Sequence, residues 1–147
     1  MKYLSQRDPQ WCNVKIGQSN SILGKVGCTT TCLSMLSDYF GCYKSPAEIA
    51  HNVANYVGDL VNWKALNFEC MQGQRLYGRS DVTIQNAIND PNKAIMLNVN
   101  SGAHWVAALR KTLFGNSYIV ADPWTGKECD VIKTYHDIVG GAVFNRK

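Results

Sequence analysis

The chain has 147 residues and a formal net charge of +4; 46% of its residues are hydrophobic and 18% are charged. A chain of this length is expected to form a single domain, residues 1–147, and its composition excludes extensive disorder. No apolar run approaches the ~20 residues needed to span a bilayer, and the basic residues are scattered, so we expect no membrane partner and no nucleic-acid partner.

Residues 1–23 are predicted to be irregular and rich in turns. Apolar residues then recur at helical spacing from residue 28 to residue 40, which predicts a first helix that ends before Gly41. The sequence SPAE from residue 45 combines an N-cap, a proline at the first helical position and a capping-box glutamate. It predicts a second helix that continues to about Val57.

Residues 58–79 are expected to be mostly loop, with at most a short helix around 61–67, before Ser80 caps a third helix that ends at Pro91. From Ala94 onward the runs AIMLNV, HWVAALR, SYIVAD and GAVFNR are separated by turn sequences, a pattern typical of antiparallel strands. Helices first and strands afterwards predict an α+β fold, with N-terminal helices packed on a C-terminal antiparallel β-sheet.

The N-terminal sequence MKYLSQRDPQW has no apolar stretch of ~7 or more residues and does not read as a secretory signal. We therefore expect the protein to be cytoplasmic as synthesised, so that action on a cell wall would require release by another route. In that compartment the six cysteines are expected to be reduced. The cysteines form no Cys-x-x-Cys pair, and no histidine lies at ligand spacing from another histidine or from a cysteine pair. Neither a metal nor a cofactor is therefore expected.

Of the three histidines, only His104 stands where chemistry is expected. His51 falls on the polar face of its predicted helix and His136 lies in a polar stretch, which indicates solvated side chains. His104 opens the strand HWVAALR, and Asp122 ends the next strand. In a hairpin centred at residue 113 or 114 the two side chains share one face, whereas a half-residue change of centre separates them. On the favourable register, Asp122 would orient the imidazole and stabilise its protonated form.

Cys28 is the candidate nucleophile. It stands at the N-terminus of the first predicted helix, where free N–H groups and the helix dipole favour the thiolate, and Gly27 leaves room for a substrate to approach the sulfur. Cys32 lies one turn further into the helix and is expected to be a core residue. A thiolate paired with an imidazolium attacks amide or ester carbonyls and forms an acyl-enzyme, which water then hydrolyses.

The tetrahedral oxyanion of that reaction also requires hydrogen-bond donors, and the backbone N–H of Cys28 is one candidate. A side-chain amide from the N-terminal segment is the second, and residue type alone leaves four possibilities open: Gln6, Gln10, Asn13 and Gln18. Three aromatic residues are candidates for substrate contact: Trp63, Tyr77 and Trp105.

The order of the segments SQRDPQW, GKVGCTTTCLSML, GAHWVAAL and YIVADPWTG resembles that of papain-like cysteine peptidases of the bacteriocin-leader-processing type, in particular the stand-alone domains allied to them. The resemblance covers nearly the whole chain. It implies a papain-like fold, with Cys28 as nucleophile, His104 as base, Asp122 as orienting carboxylate and Gln6 as the oxyanion glutamine. The family commonly has Gly-Pro or Gly-Ala after the nucleophile, whereas this chain has Thr29 and Thr30, which narrow the space beside the sulfur.

Together these features favour a monomeric cysteine hydrolase that cleaves a peptide or related amide bond through an acyl-enzyme. Peptidoglycan peptides and a protein or leader peptide are both open as substrates. The alternative is a catalytically silent papain-like domain that binds a peptide or a partner protein. A third alternative, suggested by the six cysteines, is an extracellular module stabilised by disulfide bonds.

Overall fold

The computed structural model describes all residues from 1 to 147. Its α-helices are α1 (Leu23–Val26), α2 (Cys28–Tyr39), α3 (Pro46–His51), α4 (Asp81–Asn89) and α5 (Val131–Tyr135). Its strands are β1 (Tyr56–Val57), β2 (Leu60–Val61), β3 (Met71–Tyr77), β4 (Lys93–Val99), β5 (His104–Lys111), β6 (Tyr118–Asp122), β7 (Lys127–Asp130) and β8 (Ile138–Arg146). None of the helices combines the length and the apolar character that crossing a bilayer requires.

Six of the strands form one antiparallel sheet in the order β3-β8-β4-β5-β6-β7, while β1 and β2 pair as a separate hairpin. Most of the helical sequence precedes the central strands, and α2 packs across β5. The predicted α+β class, with helices on an antiparallel sheet, is therefore confirmed.

The sheet separates two apolar clusters because successive side chains of a strand point to opposite faces. On one face, Met96 and Ala107 pack with the buried side of α2, including Leu36. On the other face, Val106 packs in a cluster that includes Ile84 of α4. Each central strand is therefore buried on both sides, and the ends of β5 and β6 are held in fixed positions.

The predicted α2 and α4 are both present. Helix α2 ends at Tyr39, and Gly41 follows in the left-handed conformation with φ of +89°. In α4, the side chain of Ser80 accepts a hydrogen bond from the N–H of Thr83, as an N-cap does. All four strands predicted after Ala94 are present as well.

The prediction of a second helix to about Val57 is wrong in its length. The capping box at Ser45 and Glu48 is present, but α3 ends at His51. The reason is Asn52, which takes an extended conformation (φ −82°, ψ 96°) and uses its side chain to accept the N–H of Ala54, starting a 3₁₀ turn. Asparagine competes with helical hydrogen bonding in this way because its side chain reaches nearby backbone groups.

Residues 58–79 were expected to be mostly loop, but they contain β2 and the seven-residue strand β3. Strand β3 lies at the edge of the sheet, where it pairs only with β8, and four of its seven residues are exposed. Gly73 of β3 lies directly against Phe144 of β8: a Cβ at this position would be 2.3 Å from the phenylalanine ring. Helix α5 and strand β7 were also not predicted.

The expectation of fully reduced cysteines is wrong for one pair. Cys42 and Cys70 form a disulfide, with Cα atoms 5.8 Å apart and 28 residues apart in sequence. This bond connects the end of α2 to the start of β3. The other four cysteines are free thiols: Cys12, Cys28, Cys32 and Cys129.

Candidate active site

Cys28 is the first residue of α2, is buried, and lines a cleft. The residue before it, Gly27, offers no side chain to cap the helix. Because the first N–H groups of a helix have no intrahelical acceptor, the helix presents its positive end at the Cys28 sulfur. A thiolate is therefore favoured at this position.

His104 and Asp122 meet on one face of the hairpin, as in the favourable register, although the pairing next to the turn is centred between residues 114 and 115. The His104 Nε2 atom lies 2.8 Å from Asp122 Oδ1, and both side chains are buried, 9% and 2% exposed respectively. With Nε2 engaged by the carboxylate, the other ring nitrogen, Nδ1, is left for the sulfur.

A β-bulge produces this register. Near the turn, Lys111 pairs with Tyr118; that register, continued along the strands, would place His104 and Asp122 on opposite faces. The extra residue at Leu109 shifts the pairing by one, so that Ala107 pairs with Ala121. His104 and Asp122 then become diagonal neighbours on one face.

Cys28 lies on one face of the sheet, whereas His104 and Asp122 lie on the other. His104 and Asp122 follow the same alternation as Val106 and Val120, which pack in the cluster under α4 and α5. Cys28 belongs to α2, on the other face. They meet at the end of the sheet, where β5 begins and β6 ends.

The electrostatics of the site favour a thiolate–imidazolium pair. Burial raises the pKa of Cys28, but hydrogen bonds from His104, from the Trp105 backbone and from the Thr29 hydroxyl, together with the charge of His104, outweigh it and lower the pKa below its ordinary value. Burial lowers the pKa of His104, yet hydrogen bonds and charge from Asp122 and Cys28 raise it to about 9. Each partner thus stabilises the charged form of the other.

Asp122 is held as an acceptor of several hydrogen bonds. Its Oδ1 also accepts the N–H of Trp124 at 2.9 Å, and its Oδ2 accepts the hydroxyl of Tyr135. Burial raises the pKa of Asp122, but the bonds from His104, Tyr135 and Trp124 outweigh it, so the net pKa is lowered. Sequence reasoning missed Tyr135, because nothing in the pattern indicated α5.

Cys32 is a core residue, as predicted. It is completely buried beneath β5, where its Sγ lies 3.5 Å from the carbonyl oxygen of Trp105. Burial and the nearby Cys28 and Asp122 raise the pKa of Cys32 well above its ordinary value. The two cysteines of α2 therefore have opposite tendencies to ionise.

Gln6 is the one amide among the four oxyanion candidates that lines the cleft; Gln10, Asn13 and Gln18 are exposed elsewhere. Gln6 is 1% exposed, and its backbone N–H donates to the carbonyl of Pro123 at 2.7 Å. The side-chain Nε2 donates to the Leu23 carbonyl at 3.3 Å. Because an amide nitrogen carries two protons, one remains for a ligand in the cleft.

The cleft has a volume of about 590 Å³ and lies between the β1–β2 hairpin and the loop before β5. Trp105 lines it, whereas Trp63 does not and instead packs its ring against Trp105, with centroids 5.1 Å apart. Tyr77 lines a neighbouring groove. His51 and His136 are exposed and lie outside the cleft.

Gly27 does not line the cleft, contrary to the expectation that it makes room for a substrate. A Cβ at this position would lie 2.5 Å from the carbonyl oxygen and 2.7 Å from the Cα of Leu23. The glycine is required because the chain at Gly27, the C-cap of α1, passes this close to Leu23, the first residue of that helix. The structure therefore assigns Gly27 to packing, which fixes the start of α2 and hence the position of Cys28.

The two threonines after Cys28 have different surroundings. Thr29 lines the cleft, and its side chain contributes to lowering the pKa of Cys28. Thr30 also contributes to the wall but is buried, with its hydroxyl 2.8 Å from that of Tyr56. Thr29 thus supports the thiolate as well as occupying space beside it.

In comparisons with known proteins, no family model and no curated sequence matches this chain. No group of three or more His, Cys, Asp or Glu side chains lies close enough together to hold a metal ion.

Proposed function

We propose that this protein is a cysteine hydrolase that cleaves a peptide or amide bond, with Cys28 as nucleophile, His104 as general acid and base, and Asp122 as orienting carboxylate. One observation carries the proposal: a cysteine at a helix N-terminus shares a cleft with a buried histidine whose Nε2 lies 2.8 Å from a buried carboxylate. Nucleophile, base and orienting group are the three parts that acyl transfer by a cysteine requires.

In the first half of the reaction, the Cys28 thiolate attacks the carbonyl carbon of the substrate, forming a C–S bond and a tetrahedral oxyanion. The C–N bond then breaks, and the imidazolium of His104 gives its Nδ1 proton to the leaving amine. In the second half, His104 takes a proton from water as the water attacks the thioester. The carboxylate product leaves and the thiolate is regenerated.

The oxyanion would be stabilised by two donors that lie at the cleft. One is the backbone N–H of Cys28, at the first position of α2, where intrahelical acceptors are lacking. The other is the second Nε2 proton of Gln6, whose burial keeps the amide in one place. Preorganised donors of this kind are among the largest contributions to acyl-transfer catalysis.

The arrangement also supports a papain-like fold as part of the proposal. In it, the nucleophile helix α2 packs across an antiparallel sheet, with the histidine at the start of β5 and the carboxylate at the end of β6. We propose that the enzyme acts as a monomer on a peptide, either a peptidoglycan peptide or a protein or leader peptide. The Cys42–Cys70 disulfide favours an oxidising compartment as the place of action, in keeping with release from the cytoplasm where it is made.

The proposal is tested first by the reactivity of the thiols. At pH 7, iodoacetamide is expected to alkylate Cys28 well ahead of Cys12 and Cys129, which lack a histidine partner, as measured by peptide mass mapping over time. Hydrolysis of a quenched peptide library and of a peptidoglycan digest is then compared between the wild type and Cys28→Ala. Turnover is expected to fall by a factor on the order of 10³ or more.

Cys12→Ala is the matched control, because it removes another free thiol outside the cleft. It should leave both alkylation of Cys28 and turnover unchanged. Uniformly slow labelling of all free thiols, or hydrolysis that survives in Cys28→Ala, would contradict the proposal. Unaltered peptide binding without hydrolysis would instead favour a silent binding domain.

A further inference from the structure

Tyr135 is the one cleft residue that contacts both members of the histidine–carboxylate pair without having a part in the proposed chemistry. It is the last residue of α5, and its hydroxyl donates a hydrogen bond to Asp122 Oδ2. Its ring centroid lies 4.9 Å from that of the His104 imidazole, and it lines the cleft beside Cys28. A tyrosine that served only to anchor α5 would not need both contacts.

We propose that Tyr135 is a positioning residue of this site: its hydroxyl fixes the Asp122 carboxylate, and its ring fixes the His104 imidazole and keeps water from the bond between them. The inference deepens the hydrolase function and rests on it. It adds a fourth member to the set of Cys28, His104 and Asp122.

The hydrogen bonds of Asp122 divide between its two oxygens. Oδ1 accepts from His104 Nε2 at 2.8 Å and from the Trp124 N–H at 2.9 Å. The only strong donor to Oδ2 is Tyr135, since the other neighbour is the thiol of Cys129 at 4.0 Å, a weak donor. Tyr135 therefore prevents the carboxylate from turning and keeps Oδ1 aimed at the imidazole.

The ring of Tyr135 acts on His104 directly. The two rings are tilted by 43° and in contact, so an imidazole that rotated away from Asp122 would have to displace the phenol. His104 is only 9% exposed, and the ring of Tyr135 is one of the groups beside it. A hydrogen bond that is shielded from water is stronger electrostatically than an exposed one.

The ionisable groups that face the pair are few. They are Cys28 and Cys32 from α2, Cys129 from β7 and Tyr135 from α5. Burial and the hydrogen bond to Asp122 both raise the pKa of Tyr135, so it remains a neutral donor while the cysteine ionises. It can therefore hold the carboxylate without removing the charge that stabilises the imidazolium.

The test is Tyr135→Phe, which removes the hydroxyl and keeps the ring. Without the donor, the carboxylate is free to turn, and the Asp122 hydrogen bond that helps to raise the pKa of His104 is weakened, so we expect that pKa to fall. We also expect kcat to fall roughly tenfold or more, with KM nearly unchanged, because a hydrogen bond to a charged group is lost. The titration is followed by imidazole ¹⁵N NMR, with signals assigned through His51→Gln and His136→Gln.

Tyr118→Phe is the matched control, since the Tyr118 hydroxyl also donates to a carboxylate, Asp81, at 2.5 Å but lies outside the cleft. It should leave the His104 titration and kcat unchanged. Both variants are compared on folded protein, verified by circular dichroism, so a loss of stability does not enter the result.

The two proposals fail in different ways. If wild-type Cys28 reacts no faster with iodoacetamide than Cys12, the hydrolase proposal fails whatever Tyr135 does. If the wild type is reactive and hydrolytic, but Tyr135→Phe matches it in kcat and in the His104 titration, Tyr135 is an anchor of α5 and the positioning role is overturned. A rise in the pKa of His104 in Tyr135→Phe overturns it as well, because it would mean that the hydroxyl only offsets the charge of Asp122 and does not hold the carboxylate in place.

Discussion

Asp122 determines the charge state of the whole site. It is almost completely buried, yet it stays ionised because His104, Trp124 and Tyr135 all donate hydrogen bonds to it. Its charge and hydrogen bond help to raise the pKa of His104 to about 9, and the imidazolium in turn lowers the pKa of Cys28. A change in the Asp122 carboxylate should therefore also alter the pKa of the Cys28 thiol, although Asp122 and Cys28 have different roles in the proposed reaction.

We predict that the pH profile of kcat/KM in the wild type is bell-shaped. Activity rises as Cys28 loses its proton, at a pH below the ordinary thiol value, and falls as His104 loses its proton near pH 9. The apparent pKa values of the two limbs are macroscopic values that belong to the coupled Cys28–His104 pair. They are measured by initial rates from pH 4 to pH 10 on the best substrate of the peptide library.

Asp122→Asn removes the charge and keeps the shape. We expect the alkaline limb to move down, towards the ordinary pKa of histidine near 6.5, because the imidazolium loses its counter-charge. The peak of kcat/KM should fall by roughly 10²–10⁴-fold. Asp81→Asn, which removes a tyrosine-bonded carboxylate remote from the cleft, is the control and should leave the profile in place. An unmoved alkaline limb in Asp122→Asn would show that His104 takes its charge from elsewhere.

At the level of the elements, the site depends on where α2 and the β5–β6 hairpin begin and end. Gly27 lets α2 start directly after α1, and the bulge at Leu109 sets the register of the hairpin. Both features act on geometry and contact no substrate. They explain why residues from opposite faces of the sheet meet at its end.

The hairpin could be predicted from sequence because it is local. The two runs around Phe114 are strongly apolar and predict two strands joined by a turn, but counting residues across the turn does not relate His104 to Asp122, because their shared face depends on the bulge at Leu109. The helical spacing of α2 likewise places Cys28 at an N-terminus and Cys32 inside. Buried helices and strands with a periodic hydrophobic pattern can therefore be recognised from the sequence.

The elements that sequence reasoning missed lack that signal. Strand β3 is an edge strand whose exposed face and Gly73 leave no alternation, and α5 is only five residues long. Neither the Cys42–Cys70 disulfide nor the contact of Tyr135 with Asp122 follows from spacing, because each depends on how separate elements pack. The site residue that was not predicted, Tyr135, therefore lies on α5, an element without a periodic sequence pattern.

Helix α5 matters because it carries Tyr135, and its N-cap gives a prediction. The Asp130 side chain accepts the N–H of Lys133 and the hydroxyl of Ser117. Asp130→Ala is expected to lower the free energy of unfolding by about 1 kcal/mol, as the loss of an N-cap usually does, and to lower kcat because Tyr135 is held less firmly. Urea unfolding and steady-state kinetics measure the two effects.

Ser45→Ala is the control for this element, because it removes the N-cap of α3, which contributes no residue to the cleft. It should cost a similar amount of stability and leave kcat unchanged. Equal kinetics in the Asp130 and Ser45 variants would show that α5 is held by its packing rather than by its cap.

Across the whole molecule, the cleft and the disulfide lie at opposite ends of α2. Cys28 is the first residue of this twelve-residue helix, which is about 18 Å long at ~1.5 Å per residue, and Cys42 follows its last turn. The disulfide joins that far end to β3, the edge strand that the sheet holds from one side only. The proposed catalytic site and the covalent cross-link therefore lie in separate regions of the fold.

This separation predicts different effects on stability and on activity. Replacing both cysteines, Cys42→Ala with Cys70→Ala, opens a loop with a sequence separation of 28 and should lower the free energy of unfolding by about 3–4 kcal/mol. At 25 °C the folded double variant should keep its kcat, because no atom of the cleft changes. Urea unfolding under non-reducing conditions measures the first effect, and initial rates measure the second.

Cys12→Ala serves as the control, since it removes a half-buried free thiol without opening a cross-link. Dithiothreitol should reproduce the stability loss in the wild type and have no effect on the double variant, which separates the cross-link from the side chains. A double variant as stable as the wild type would mean that packing alone holds β3 against the core. A loss of kcat in folded protein would mean that the edge strand and the cleft are coupled through α2, in contrast to the separation inferred from their positions.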